Sequence, residues 1–341
     1  MSAPTLRPPS GPAVSSRTAP ALLRPSGLTW TVLRLHRAAL LMWIAALLVA
    51  AGVLTWMYVI GPDAVAALAP CGSPPAGALP DCTVLDAIST DETYSTWIRL
   101  VSTAVSYLMF PVAAWAGAAL VGRELEDGTA QLAWTQSVSP VRWLAAKLAV
   151  PAAVLTLGTT LAVLLDVWAR RDGNPSLVGD WYDPEVYAST GPVAVAYILA
   201  GLAFGVLAAL LLGKALPAAG AAFAATLVLS YGLRAVRPSL WPTTTITGRA
   251  ALDLPRSALE LEHGVVTSDG RRIGNDLACV GSGTSARSRA CGRSSGLSDF
   301  WATYHPKSHF WPLQLVESGL LLAVAGAAAA AAFTLLRRRT A

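Results

Sequence analysis

Long apolar runs separated by short polar stretches set the pattern of this chain. Six runs cover approximately Ala38–Ile60, Leu100–Gly122, Leu144–Trp168, Pro192–Leu212, Pro217–Leu233 and Leu313–Leu336. A helix needs about 20 such residues to cross the hydrocarbon core of a bilayer, so the runs predict six membrane-spanning helices, the fifth being the shortest. Only Gly213, Lys214, Ala215 and Leu216 separate the fourth run from the fifth. That spacing predicts a tight helical hairpin, with Pro217 in the first turn of its second arm. Pro111, inside the second run, predicts a kink there, because proline removes a helical N–H.

The polar stretches carry their own patterns. Residues 1–25 are rich in Pro, Ser, Ala and Arg, without apolar periodicity, and read as a disordered tail. Between Gly27 and Arg37 the apolar residues Leu28, Val32 and Leu35 mix with Arg34, His36 and Arg37, and Ser26 stands ready as an N-cap. Residues 26–37 therefore read either as an amphipathic connecting helix in the membrane interface or as an extension of the first span. The longest stretch outside the spans, apart from the tail, is 234–312. Asp269-Gly270 between Val265-Val266-Thr267 and Arg271-Arg272-Ile273 predicts a β-hairpin within it. The expected fold is an all-α integral membrane protein of six transmembrane helices, with a small external loop domain between the last two. Its parts are a tail (1–25), a connecting helix (26–37), five spans (38–233), the external loop domain (234–312), and the sixth span with a basic end (313–341).

Composition agrees with this reading. Of the 341 residues, 54% are hydrophobic and 13% charged, against about 25% charged in an ordinary soluble domain. The net charge of +5 does not argue for nucleic acid, because many of the basic residues flank apolar runs. Their placement sets an orientation. The stretch from Gly61 to Ile98 has no Lys or Arg but contains Asp63, Asp81, Asp86, Asp91 and Glu92. Arg34, Arg37, Arg123, Arg142, Lys147, Lys214 and Arg337 to Arg339 fall on the opposite side. The positive-inside rule then puts both termini in the cytoplasm of a bacterial cell, with Arg170 and Arg171 running against it on a short external loop. Cys71 and Cys82 fall in the first external loop, Cys279 and Cys291 in the last. An oxidising exterior permits two disulfides, most simply Cys71–Cys82 and Cys279–Cys291; pairing across the loops, or four free thiols, are the alternatives.

The search for chemistry is mostly negative. The chain has no phosphate-binding G-x-x-x-x-G-K-[S/T], no G-x-S-x-G and no H-E-x-x-H. His305 and His309 have a metal-compatible spacing, but Pro306 lies between them and no acidic pair adjoins, so they read as an interfacial loop. Ionisable residues inside spans attract a functional reading. Lys147 and Arg99 read as snorkelling to their interfaces, and Asp166 as a partner of Arg170 one turn on. Glu317, beside Gln314, is the candidate for a transport path, or for pairing with Arg99 or another external Arg. Gly201-x-x-x-Gly205 permits close helix packing.

The most informative segment is Arg123–Lys147. Glu124, Glu126 and Asp127 precede a Gly128 break, Thr129 is placed to cap a short helix, and Ser139-Pro140 restarts the chain into the third span. Such a helix between two spans is a natural handle for a soluble partner.

Here the chain resembles permease subunits of ABC transporters of the ABC-2 type, especially those of high-GC bacteria. The resemblance rests on Gly122-Arg123-Glu124-Leu125-Glu126-Asp127-Gly128-Thr129, on Trp134-Thr135-Gln136-Ser137, and on Arg142-Trp143 with Lys147. It extends to His309-Phe310-Trp311-Pro312-Leu313-Gln314 with Glu317, and to the six-span layout. It implies a half-transporter: two permeases, identical or different, joined to two separately encoded ATPase subunits that hold ATP and magnesium, with no cofactor in this chain. The loop 123–142 would be the coupling element, through Arg123, Glu124, Glu126, Asp127, Thr129 and Gln136. A lipophilic or amphipathic substrate would move outward. The alternatives are a membrane sensor or assembly factor acting through the external loop, and a membrane-embedded enzyme.

Overall fold

The computed structural model describes residues 27–72, 85–136, 138–171, 173–274 and 297–340. The predicted tail, Ser26, Cys82, Cys279 and Cys291 lie outside the described residues, and Cys71 is described only in its backbone. The disulfide expectation therefore falls outside what the structure describes.

Six helical stretches among the described residues are long and apolar enough to cross a membrane: 37–66, 90–126, 140–169, 193–212, 215–239 and 307–340. A short helix α1 (Leu28–Leu35) comes first, and His36 leaves helical geometry before α2 (Arg37–Gly72) begins. The break separates α1 from the first span. α2 runs well past the predicted end of the first span at Ile60.

The second span is built from α3 (Leu85–Tyr107), α4 (Met109–Trp115), a wider π-helical turn (Ala116–Gly122) and α5 (Arg123–Glu126). It breaks at Leu108, whose N–H reaches back three residues to Val105 at 3.4 Å. Pro111 lies one turn on and lacks the N–H that would bond Tyr107, so the helical hydrogen bonding is interrupted about one turn before the proline. After α6 (Thr129–Gln136), α7 (Pro140–Ala169) is the third span. Two short helices, α8 (Pro175–Val178) and α9 (Pro184–Ser189), lead into α10 (Val193–Leu212). The predicted hairpin joins α10 to α11 (Ala215–Val236), and α12 (Phe310–Thr340) is the last span.

α10 is the centre of the bundle. Gly201 and Gly205 face α4 and the start of the π-helical turn, where an added Cβ would stand 2.7 Å from the Met109 carbonyl and 2.5 Å from the Ala116 Cβ. The small-residue motif thus serves helix packing within the chain.

Between α11 and α12 lies a four-stranded antiparallel sheet of β1 (Thr244–Thr247), β2 (Leu259–Thr267), β3 (Arg272–Gly274) and β4 (Leu297–His305), ordered β1-β4-β2-β3. The predicted hairpin is β2–β3, with the Gly270 N–H closing onto the Thr267 carbonyl at 2.9 Å. The sheet is larger than one hairpin because β4 returns between β1 and β2, a pairing across 30 or more residues that local pattern does not carry. The Trp181 indole N–H donates to the Ser257 carbonyl at 2.7 Å, and His305 Nε2 to the Pro238 carbonyl at 2.9 Å. These bonds seat the sheet on one end of the bundle. The 123–142 segment lies at the other end.

Candidate coupling surface and buried ion pairs

At the end of the bundle away from the sheet, Gly128 at φ 72° turns the chain between α5 and α6, a backbone region that favours glycine. Thr129 follows as the first residue of α6. Its hydroxyl donates to the Glu124 carbonyl at 3.3 Å, tying α6 back to α5 instead of capping its own helix as predicted. The reason is register: Thr129 stands one residue inside the capping position. Ser139 does cap α7, accepting from the Arg142 N–H at 3.4 Å with Pro140 next in line.

The acidic residues of this segment divide into two roles. Glu124 turns inward. Its Oε1 accepts from Lys147 Nζ at 2.6 Å and its Oε2 from the Trp143 indole N–H at 3.1 Å. Lys147 is buried, so it does not snorkel as predicted; a carboxylate within reach stabilises its charge where water cannot. His36 Nε2 lies 3.4 Å from the same ammonium, and its ring meets Trp115 edge-on at 5.4 Å. Burial, and then the Lys147 charge, push the His36 imidazole down to about 4, against a smaller opposing pull from Glu124. One ionic cluster thus joins α5, α7 and the junction between α1 and α2.

Glu126 faces outward, yet its Oε2 accepts from the Ala215 N–H at 2.9 Å. That amide opens α11, so the carboxylate satisfies an orphan donor at the positive end of a helix dipole. Arg123, Asp127, Thr129, Leu132, Gln136 and Arg142 are exposed around it. Leu132, 59% exposed, sits among polar neighbours with no apolar cover. Of the six predicted coupling residues, Arg123, Asp127, Thr129 and Gln136 share this open surface. Glu124 lies beneath it, and Glu126 links it to the α10–α11 hairpin.

At the sheet end, Gln314 and Glu317 are fully buried by neighbours in the chain itself. Gln314 Nε2 donates to the Tyr187 carbonyl at 2.6 Å, and its Oε1 accepts from the Val193 N–H at 3.2 Å. Glu317 accepts from Arg237 through both oxygens, at 2.7 and 3.0 Å, and from the Tyr197 hydroxyl at 2.7 Å. The Arg237 guanidinium also lies 4.0 Å from the centre of the Tyr187 ring. Pairing with Arg99 or another external arginine was one of the two sequence readings of Glu317. The partner is Arg237, the residue just after α11, and not Arg99.

A second buried pair sits nearby. Asp166 Oδ1 accepts from Arg170 Nε at 3.0 Å and Asp166 Oδ2 from the Ser189 hydroxyl at 2.8 Å, as the spacing of Asp166 and Arg170 predicts. Arg170 further donates to Ser102 and to the Val178 carbonyl. Neutralised in this way, Arg170 weighs little against the orientation rule. Sequence reasoning did not find Arg237, Tyr197 or the inward role of Lys147. For Arg237 no local signal exists, because its partner is 80 residues away. His305 and His309 do meet, Nδ1 to Nδ1 at 2.9 Å, but no group of three or more potential metal ligands forms among the described residues.

The sequence model of the family described as ABC-2 membrane transporter related matches residues 29–237. The chain belongs to that family. The matched region runs from α1 to the arginine that pairs with Glu317, so it takes in five spans, the 123–142 segment and the Glu124–Lys147 cluster. As a member of this family the chain is a multi-pass membrane protein of the ABC-2 permease kind. No curated protein and no solved structure gives a match.

Proposed function

We propose that the chain is the permease subunit of an ATP-driven exporter, a transport subunit rather than an enzyme, working with a separate ATPase. In this reading both termini and the 123–142 segment lie in the cytoplasm of a bacterial cell, and the sheet lies outside. Two permeases, the second identical or similar, stand on two ATPase subunits that hold ATP and magnesium. The observation that carries the reading is the build of the 123–142 segment. An open surface of Arg123, Asp127, Thr129, Leu132 and Gln136 rests on a buried strut, Glu124–Lys147, and on the Glu126–Ala215 link. A push on that surface passes to α7 through Lys147 and to α11 through Glu126 without first deforming a loop. A sensor working through the sheet has no use for such a strut at the opposite end.

The test is capture of the ATPase by the tagged chain in mild detergent. Asp127→Arg combined with Leu132→Arg is the variant to use, since neither side chain has a structural bond to lose. The expected outcome is that the native chain brings down a soluble P-loop ATPase and the double variant, still monodisperse, does not. A native chain that captures no ATPase in several gentle detergents would sink the proposal. Glu126→Arg is a poor substitute, because it also uncaps α11.

A further inference from the structure

A cleft of about 1040 Å³ opens at the sheet end, between α7, α10, α12 and the α8–α9 turn. Its walls inside the bundle are apolar: Leu164 and Val167 from α7, Val195 and Leu199 from α10, and Leu322 from α12. Leu164 and Leu322 are each about half exposed, so the cleft is open along one side. At its upper rim stand Arg171 and Lys307, both exposed and without an ion-pair partner among the described residues. Of the other charged residues of the lining, Arg170 is paired with Asp166, and Asp180, which accepts from the Tyr182 hydroxyl at 3.2 Å, adds one acidic group against the two basic ones. Asp172 lies outside the described residues.

Depth and polarity together limit what fits. From Thr160, the lowest lining residue of α7, to the end of that helix at Ala169 the cleft descends about 14 Å at 1.5 Å per residue. That is about half of a hydrocarbon core of about 30 Å, or one leaflet. A wholly apolar occupant would leave the basic rim unused, and a small anion would leave the walls uncovered.

We propose that this cleft holds one acidic phospholipid of the sheet-side leaflet. Its phosphate-bearing headgroup sits at the Arg171–Lys307 rim and its acyl chains lie against the Leu164–Val195–Leu322 walls. Basic residues at headgroup depth favour an anionic lipid over a zwitterionic one. The apolar walls hold it where the fourth and sixth spans meet the third.

The test uses the full chain in detergent with equal amounts of dioleoyl phosphatidylglycerol and dioleoyl phosphatidylcholine, read by native mass spectrometry. The native chain is expected to retain one phosphatidylglycerol about tenfold more than phosphatidylcholine. Arg171→Ala with Lys307→Ala should abolish that preference, and Arg171→Lys with Lys307→Arg should keep it. Val195→Trp should lower retention of both lipids by filling the cleft. Equal retention of the two lipids by the native chain, or a preference that survives the double alanine variant, overturns the proposal. No ATPase is present in this assay, so its outcome is independent of the permease reading, which the capture experiment decides.

Discussion

The two ends of the bundle use the same chemistry for different ends. Near the sheet, Glu317–Arg237 and Asp166–Arg170 are enclosed: both carboxylates are fully buried, and tyrosine and serine hydroxyls take up their remaining lone pairs. At the other end, Glu124–Lys147 is the inner half of a mixed arrangement, with Asp127 and Arg123 left facing solvent a few residues away. Enclosed pairs fix how α7, α10, α11 and α12 meet. The half-open cluster fixes a platform and leaves its upper surface available. The lesson is that a charged residue beside a span does not declare its role. Whether its partners lie within the chain decides between bracing and contact.

The largest effect should come from breaking the most enclosed pair. Arg237→Met leaves the Glu317 charge buried without its partner, which costs about 3–5 kcal/mol. The thermal midpoint in detergent should fall steeply, or the chain should fail to accumulate. Adding Glu317→Met should recover most of the loss, since replacing both partners removes the stranded charge. If the single and double variants are equally damaged, packing rather than charge governs this site.

Overpacking the centre should rank second. Gly205→Val places its side chain against Ala116 and the Ala113 carbonyl, where a Cβ alone would stand at 2.5–2.6 Å. A loss of about 1–3 kcal/mol is expected, measured as a lower denaturation midpoint. An unchanged midpoint would mean that α4 and α10 part more easily than their contact suggests.

The half-open cluster predicts a pH effect. His36 is held neutral down to about pH 4, whereas in the unfolded chain it takes a proton near 6.5. Below 6.5 the unfolded state therefore binds the extra proton, so this contribution to stability is full above 6.5 and declines as pH falls toward 4. The native chain should lose more thermal stability than His36→Gln over that interval. Parallel curves for the two proteins would contradict the burial of the ring.

Asp127→Arg should be the mildest change to the fold, within about 0.5 kcal/mol, as expected of an exposed side chain without a partner. A large fall in stability would move Asp127 from the contact surface to the bracing set.

The sequence by itself determined the membrane class, the six spans, the hairpin between the fourth and fifth, the β2–β3 turn and the Asp166–Arg170 pair. All of these follow from composition or from spacings within a few residues: about 20 apolar residues for a span, four for a salt bridge on one helix face. It also singled out the 123–142 segment. Only the tertiary structure separated Glu124 from Asp127, gave Glu126 the amide of Ala215, and joined Glu317 to Arg237. These partners are 23 to 89 residues apart along the chain. A local pattern records how far a side chain lies from its neighbours in sequence, whereas burial and pairing depend on which helix packs against it.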